Sequence, residues 1–271
     1  MNAMFDVSGR TVIVTGGAGL LGREYGRALV EAGANLVLTD IAADAVQRVA
    51  NDLGAPERAI GIAADLTDEE AVARLVKASR ARFGRVDGLV NNAAVNPAVD
   101  RSAAGQLGLA FEEYPLALWN RSLAVNLTGM FLCTRAVAPV MLAQGKGAIV
   151  NVSSTYGLAG PDQRLYDGEG DAGAPRFKPA DYSVTKSGVI GFTRYLAAYW
   201  AGAGIRVNTL TPGGVRNEQS ANFVRRYAAR TPLGRMAERH EFCGALLFLL
   251  SDASSYMTGA NLVVDGGWTA W

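Results

Sequence analysis

Thr11-Val-Ile-Val-Thr15-Gly-Gly-Ala-Gly-Leu-Leu-Gly22 decides the fold: an apolar, β-branched run, a turn built from glycine, then a helical pattern from Arg23 to about Ala32. Gly16 and Gly19 permit a tight turn and let the backbone approach a pyrophosphate, while Gly22 lets helix and strand pack closely. The N–H groups that open the helix, at Leu20 and Leu21, bring the positive end of its dipole to the same point. A Walker-type phosphate loop nearly matches this spacing from Gly17 to Gly22. Arg23-Glu24 then stands where Lys-Ser/Thr is needed, which disfavours ATP.

Outward from this turn, Gly33 stops the helix and Asn35–Thr39 reads as a second strand ending at Asp40. Further strands are predicted at Ala59–Ala63, Gly88–Val90, Ala148–Val152, Ile205–Leu210 and Leu262–Val264. Helices are predicted at Glu69–Arg82, Arg121–Ala143, Ser183–Ala201 and His240–Leu250. Strands alternating with helices at this spacing imply an α/β protein with one doubly wound parallel sheet and helices on both faces. No linker or repeat divides the chain, so residues 1–271 read as a single domain. Gly160–Pro179, rich in Gly and Pro, reads as a long loop, either an active-site lid or a surface insertion.

Asp40 is placed to accept hydrogen bonds from both hydroxyls of an adenosine ribose and would repel the extra phosphate of NADP, which favours NAD. An aspartate capping the next helix is compatible with that reading. Asp65, followed by Leu66, is either an adenine contact or a plain strand-end cap. Tyr182-Ser-Val-Thr-Lys186 puts a phenol and an ammonium on one helical face. A free tyrosine titrates near pH ~10; a neighbouring cation favours the phenolate and makes it a usable base.

Composition narrows the function classes. A net charge of +1 shows no electrostatic footprint for nucleic acid or an acidic membrane. No uninterrupted apolar run reaches bilayer length, and the N-terminal residues lack the pattern of a signal peptide. Cys133 and Cys243 read as reduced thiols of a cytoplasmic protein. His240, the single histidine, sits among charged residues and reads as surface; multi-histidine metal sites are excluded and no metal site is expected.

In this order, the glycine turn, Asp40, Asn91-Asn-Ala-Ala94, Asn126, Ser154, Tyr182, Lys186 and Pro212-Gly213 resemble the short-chain dehydrogenase/reductase family, from about Asp6 to Trp271. The resemblance implies a Rossmann-type domain, a nicotinamide cofactor and a homotetramer. It implies that Asn91 steadies the central strands and lines the adenosine-ribose side, that Asn126 holds a helix kink and a relay water, and that Ser154 binds the substrate oxygen. Pro212-Gly213-Gly-Val215 would meet the nicotinamide amide. The expected cofactor contacts are Gly16, Gly19, Leu20, Leu21, Asp40, Asp65, Leu66, Asn92, Tyr182, Lys186, Pro212, Gly213 and Val215.

Two departures stand out. The glycine spacing is that of the family's longer epimerase branch, with Leu20 where the short branch has glycine. Ser154 and Tyr182 are also separated by the long 160–179 segment. Tyr156 and Tyr166 are decoys, having Gly160 and Gly170 where a lysine partner would stand. The expected reaction interconverts a secondary alcohol and a ketone, with Tyr182 as acid/base, Lys186 lowering its pKa, and oxidation as the direction. The expected substrate is a polar polyhydroxy, sugar-like compound. Arg164, Arg176, Arg216, Arg225, Arg226 and Arg230, partly in the 216–235 loop, either select an anion or form a solvated face. The rival readings are a catalytically silent NAD-binding protein and an epimerase or dehydratase recycling bound NAD. Trp268 and Trp271 read as packing residues at a subunit interface or core edge.

Overall fold

The computed structural model describes residues 3–96, 109–167 and 176–271. Seven strands, β1 (Thr11–Thr15), β2 (Asn35–Asp40), β3 (Ala59–Ala63), β4 (Gly88–Asn91), β5 (Gly147–Val152), β6 (Ile205–Pro212) and β7 (Asn261–Val264), form one sheet in the order β3-β2-β1-β4-β5-β6-β7. Every neighbouring pair is parallel. The connecting helices are α1 (Leu20–Glu31), α2 (Ala43–Asp52), α3 (Glu69–Phe83), α4 (Leu116–Leu123), α5 (Met130–Gln144), α6 (Ala180–Tyr199), α7 (Ala221–Arg230) and α8 (Cys243–Leu250).

The strands are apolar without alternation because both sheet faces are covered. Val12, Val14, Leu36 and Leu38 point into one core with Leu29, Phe242 and Leu246. Their neighbours Ile13 and Val37 point into the other, with Val72, Val137 and Met141. This period of two divides one run of residues between two cores. β1 lies between β2 and β4, so the winding reverses there, and a crevice at the carboxyl ends of the strands is where such sheets take ligands.

Two expectations are corrected. The predicted helix Arg121–Ala143 is two helices, α4 and α5, joined by a wider π turn at Ala124–Gly129. A local pattern of apolar residues does not register one extra residue per turn. The 160–179 segment is not a plain loop: Gln163–Tyr166 forms a 3-10 turn that buries Leu165 and Tyr166, while its residues 168–175 lie outside the described ones. Leu116–Gln144 taken together is long and apolar enough to cross a bilayer, yet half of its most apolar stretch is buried inside the protein. It carries Asn126 and Thr134 into buried hydrogen bonds.

A buried polar chain ties the central strands beneath the site. Asn91 donates to Thr134 Oγ1 (3.0 Å) and Asn151 Oδ1 (2.8 Å). Asn151 donates to Thr193 Oγ1 (2.9 Å), and Thr209 donates to the same hydroxyl (2.8 Å). Leaving any one member unpaired costs about 1–3 kcal/mol, so β4, β5 and β6 are held in register with α5 and α6.

Candidate active site

The glycine turn closes so tightly that side chains are excluded. Gly16 has φ +63°, and a Cβ there would lie 2.8 Å from Ala93 Cα; one at Gly22 would lie 2.1 Å from Gly16 O. Gly19 precedes α1 without a side-chain cap, so the first N–H groups of the helix, at Leu20 and Leu21, keep their capacity for a ligand. Asn92 fastens the turn to the end of β4, donating from Nδ2 to Thr15 O (2.9 Å) and Gly16 O (3.3 Å). Thr15 Oγ1 accepts from the N–H groups of Asn92 and Ala93, both at 3.0 Å. Asn91 steadies the central strands, but its amide is committed inside and does not face the turn; Asn92 takes that place.

Asp40 ends β2 with Oδ2 accepting from Ala18 N at 3.1 Å and Oδ1 from Ala42 N at 3.3 Å. It does not cap α2, whose N-cap is Ala42; it ties the strand end to the glycine turn. Asp65 makes a local turn, accepting from Thr67 N (2.9 Å) and Thr67 Oγ1 (2.7 Å), and Leu66 beside it is buried. A cradle free of side chains, an uncapped helix start and a strand-end carboxylate fit a dinucleotide: the pyrophosphate on Gly16–Leu21, a ribose on Asp40.

Across the sheet, β5 and α6 deliver the reactive groups. Ser154 follows β5, and its side chain lies beside the Tyr182 phenol near the start of α6. The fold therefore brings together two residues that the 160–179 segment separates in sequence. Lys186, one turn on, is buried, with Nζ donating to Val152 O at 2.8 Å and lying 5.8 Å from the Tyr182 ring centroid. Asn126, in the π turn, accepts from Val95 N at 2.7 Å and donates to Thr185 Oγ1 at 3.1 Å. It thus braces the residue next to Lys186. At the end of β6, Gly213 N donates to Val264 O (2.9 Å) and Gly214 N to the Tyr227 hydroxyl (2.6 Å), which sets the Pro212–Val215 turn at the same edge.

Burial changes the expected electrostatics. Desolvation raises the Tyr182 phenol above its ordinary value, against the lowering effect of the Ser154 side chain. Burial also pushes Lys186 itself down to about 8. The expectation read from i, i+4 spacing allowed for the charge but not for the low dielectric around it.

A second lysine escaped the sequence reading. Lys178 is buried, its Nζ donating to Asn96 Oδ1 and sitting 4.0 Å from the Tyr182 ring centroid. Burial pushes it down to about 7. Its position four residues before Tyr182 was the available signal, hidden because α6 begins only at Ala180. Below about pH 7 folded and unfolded chains both hold its proton; between there and the ordinary lysine value the unfolded chain holds more, so stability rises with pH. The melting temperature of the cofactor-free protein is expected to climb from pH 7 to 9, and to climb less in Lys178→Met, as followed by scanning calorimetry.

The arginines are largely engaged within the protein. Arg164 pairs with Asp162 (2.8 Å), and Arg230 pairs with the same carboxylate. Arg226 donates to the backbone of Arg164 and Asp167, and Arg225 to Asn222. Tyr156 and Tyr166 are bonded hydroxyl to hydroxyl at 3.0 Å and buried with Tyr227 and Trp268. Trp268 is core, and Trp271 is exposed with Nε1 donating to Arg230 O. No cluster of metal-ligating side chains occurs among the described residues.

Residues 17–269 match the sequence family described as enoyl-(acyl carrier protein) reductase. The chain is 38% identical over 267 residues to a cis-4-hydroxycyclohexanecarboxylate dehydrogenase of Sinomonas cyclohexanicum, covering 96% of this chain and 97% of that one. It is 38% identical over 274 residues to a galactitol 2-dehydrogenase (L-tagatose-forming) of Cereibacter sphaeroides, covering 99% and 98%. A gluconate 5-dehydrogenase from Burkholderia cenocepacia J2315, solved with NADP and tartrate, superposes with a TM-score of 0.85 at 30% identity over 99% of this chain and 98% of that one. The chain belongs to the short-chain dehydrogenase/reductase family and is an oxidoreductase.

Proposed function

We propose that this protein is an NAD-dependent dehydrogenase that oxidises a secondary alcohol to a ketone on a polar, polyhydroxy or ring-hydroxylated substrate, with Tyr182 as the base. The observation that carries the reading is the meeting of Ser154, Tyr182 and Lys186 at the carboxyl ends of the strands, the end of the sheet that also holds the glycine turn. Ser154 and Tyr182 hold the alcohol oxygen, and Tyr182 takes its proton. Lys186 holds the ribose of the cofactor and supplies positive charge near the phenol. Asn126 positions the helix turn that carries Lys186 and relays the proton toward solvent. Held by these residues, an oxidised nicotinamide would supply the acceptor for the hydride that leaves the carbinol carbon.

The dehydrogenases of galactitol and 4-hydroxycyclohexanecarboxylate among the relatives support the substrate class. This chain covers almost the whole length of the matched alcohol dehydrogenases, which weighs against an epimerase with an added substrate lobe. Exposed Phe131 and Leu142 on α5 and Tyr195 and Tyr199 on α6 supply apolar surface for the homotetramer we propose. Turnover is tested by reduced-cofactor appearance at 340 nm over polyols, sugar acids, ring alcohols and hydrophobic alcohols. A protein that binds NAD but oxidises none of them would contradict the reading.

The choice of NAD rests on Asp40, whose carboxylate stands at the ribose end of the crevice and opposes a second negative group. Asp40→Ala is expected to move the NADP-to-NAD ratio of kcat/KM toward NADP by about tenfold, or ~1.4 kcal/mol. Paired steady-state kinetics check this, and an unchanged ratio would remove Asp40 as the selector.

A further inference from the structure

Lys178 presents a buried cation to the reaction centre, answered among the described residues only through space. Its residue is 4% exposed, its Nζ lies 4.0 Å from the Tyr182 ring centroid, and its side-chain partner is the neutral amide oxygen of Asn96. Among the described residues no carboxylate forms an ion pair with it. Asp181 acts on it only through space, and Asp181 Oδ2 is taken by the Ser122 hydroxyl. Lys178 is also held in place: Gln163 accepts from its N–H at 2.8 Å and donates to its carbonyl at 3.2 Å.

A desolvated ammonium is costly unless an opposite charge meets it. The groups around Nζ belong to the reaction centre: Tyr182 near the start of α6, and Asn96 on the segment after β4, next to the Val95 backbone that Asn126 binds. Asn96 spends its oxygen on the lysine, and its amide nitrogen donates to no described residue. One ammonium and one amide suit a carboxylate, whereas a phosphate would draw on arginines that are engaged elsewhere.

We infer that Lys178, with Asn96, forms an anion subsite that takes the carboxylate of a hydroxycarboxylate substrate while Ser154 and Tyr182 hold the alcohol being oxidised. The subsite deepens the dehydrogenase reading above and rests on it for the reaction. Only the ammonium form binds the anion. With Asp181, Lys186 and Tyr182 as the titratable groups facing it, free Lys178 titrates at about 7. The preference for an acid over its neutral counterpart therefore falls as pH rises through that value.

The test compares wild type, Lys178→Met and Lys178→Arg on 4-hydroxycyclohexanecarboxylate against 4-methylcyclohexanol, and on gluconate against glucitol. Calorimetry with cyclohexanecarboxylate, which has no hydroxyl to oxidise, reads the subsite on the NAD complex without turnover. In Lys178→Met, kcat/KM for the acids is expected to fall on the order of 30-fold or more and that for the neutral alcohols by less than about threefold. Cyclohexanecarboxylate binding should weaken in parallel, and Lys178→Arg should keep most of the acid preference. Equal losses on acids and neutral alcohols would overturn the subsite in favour of a positioning role. A wild type that oxidises neutral alcohols but does not bind cyclohexanecarboxylate would overturn it and leave the dehydrogenase reading standing. Carboxylate binding that depends on Lys178 in a protein with no turnover would support the subsite and overturn the dehydrogenase.

Discussion

Tyr182→Phe is expected to lower kcat/KM for alcohol oxidation by about 10²–10⁴-fold, the usual contribution of a positioned acid or base. The substitution removes one oxygen and leaves the ring that Lys178 covers and α6 supports. Ser154 then binds the substrate oxygen without a neighbouring phenol to take the proton. Because burial raises the Tyr182 phenol, wild-type oxidation should increase with pH, as the phenolate becomes more populated, and the variant should lose that limb. Affinity for NAD should change by only a few-fold, roughly one lost hydrogen bond. Steady-state kinetics from pH 6 to 10, with calorimetric NAD binding, separate these effects. Residual activity with an unchanged pH limb would mean that another group is the base.

Gly22→Ala is expected to weaken NAD binding on the order of 100-fold, equivalent to ~2.7 kcal/mol. The new Cβ would lie 2.1 Å from Gly16 O and 2.9 Å from Gly17 Cα, both backbone atoms with no rotamer to escape into. Either the turn must open or α1 must slide away from it, and both spoil the line of N–H groups meant for the pyrophosphate. Gly191→Ala is the matching control: it lies in α6, and a Cβ there meets nothing within 4 Å. That variant should bind NAD like wild type and melt slightly higher, because alanine favours helix. Calorimetric titration of both variants with NAD checks the contrast. Full affinity in Gly22→Ala would show that the turn does not carry the dinucleotide.

Where sequence was legible, the reason is local. The Thr11–Gly22 stretch specifies strand, turn and helix through neighbours alone, and the alternation of strands and helices fixes a doubly wound sheet. Tyr182 and Lys186 are readable because one helical turn separates them. What stayed hidden depends on distance in the chain or on environment. The pairing of Ser154 with Tyr182 crosses the 160–179 segment, and Lys178 precedes its helix, so neither has a local period. Asn126 is visible as a residue, but the π turn that aims it at Val95 and Thr185 is set by packing between helices. The raised Tyr182 and lowered Lys186 follow from burial, which spacing does not report. The arginines pointed toward an anion, yet several are consumed by Asp162 and by backbone carbonyls.

The central claim is net hydride transfer from a secondary carbinol to NAD, initiated by Tyr182. The most direct measurement follows deuterium from the carbinol carbon of an alcohol that the wild-type protein turns over, using NMR of cofactor and product together. The expected result is one deuterium in the reduced nicotinamide for each ketone formed. Deuterium retained in a stereoinverted alcohol, with no reduced cofactor accumulating, would contradict the account and identify an enzyme that recycles its dinucleotide.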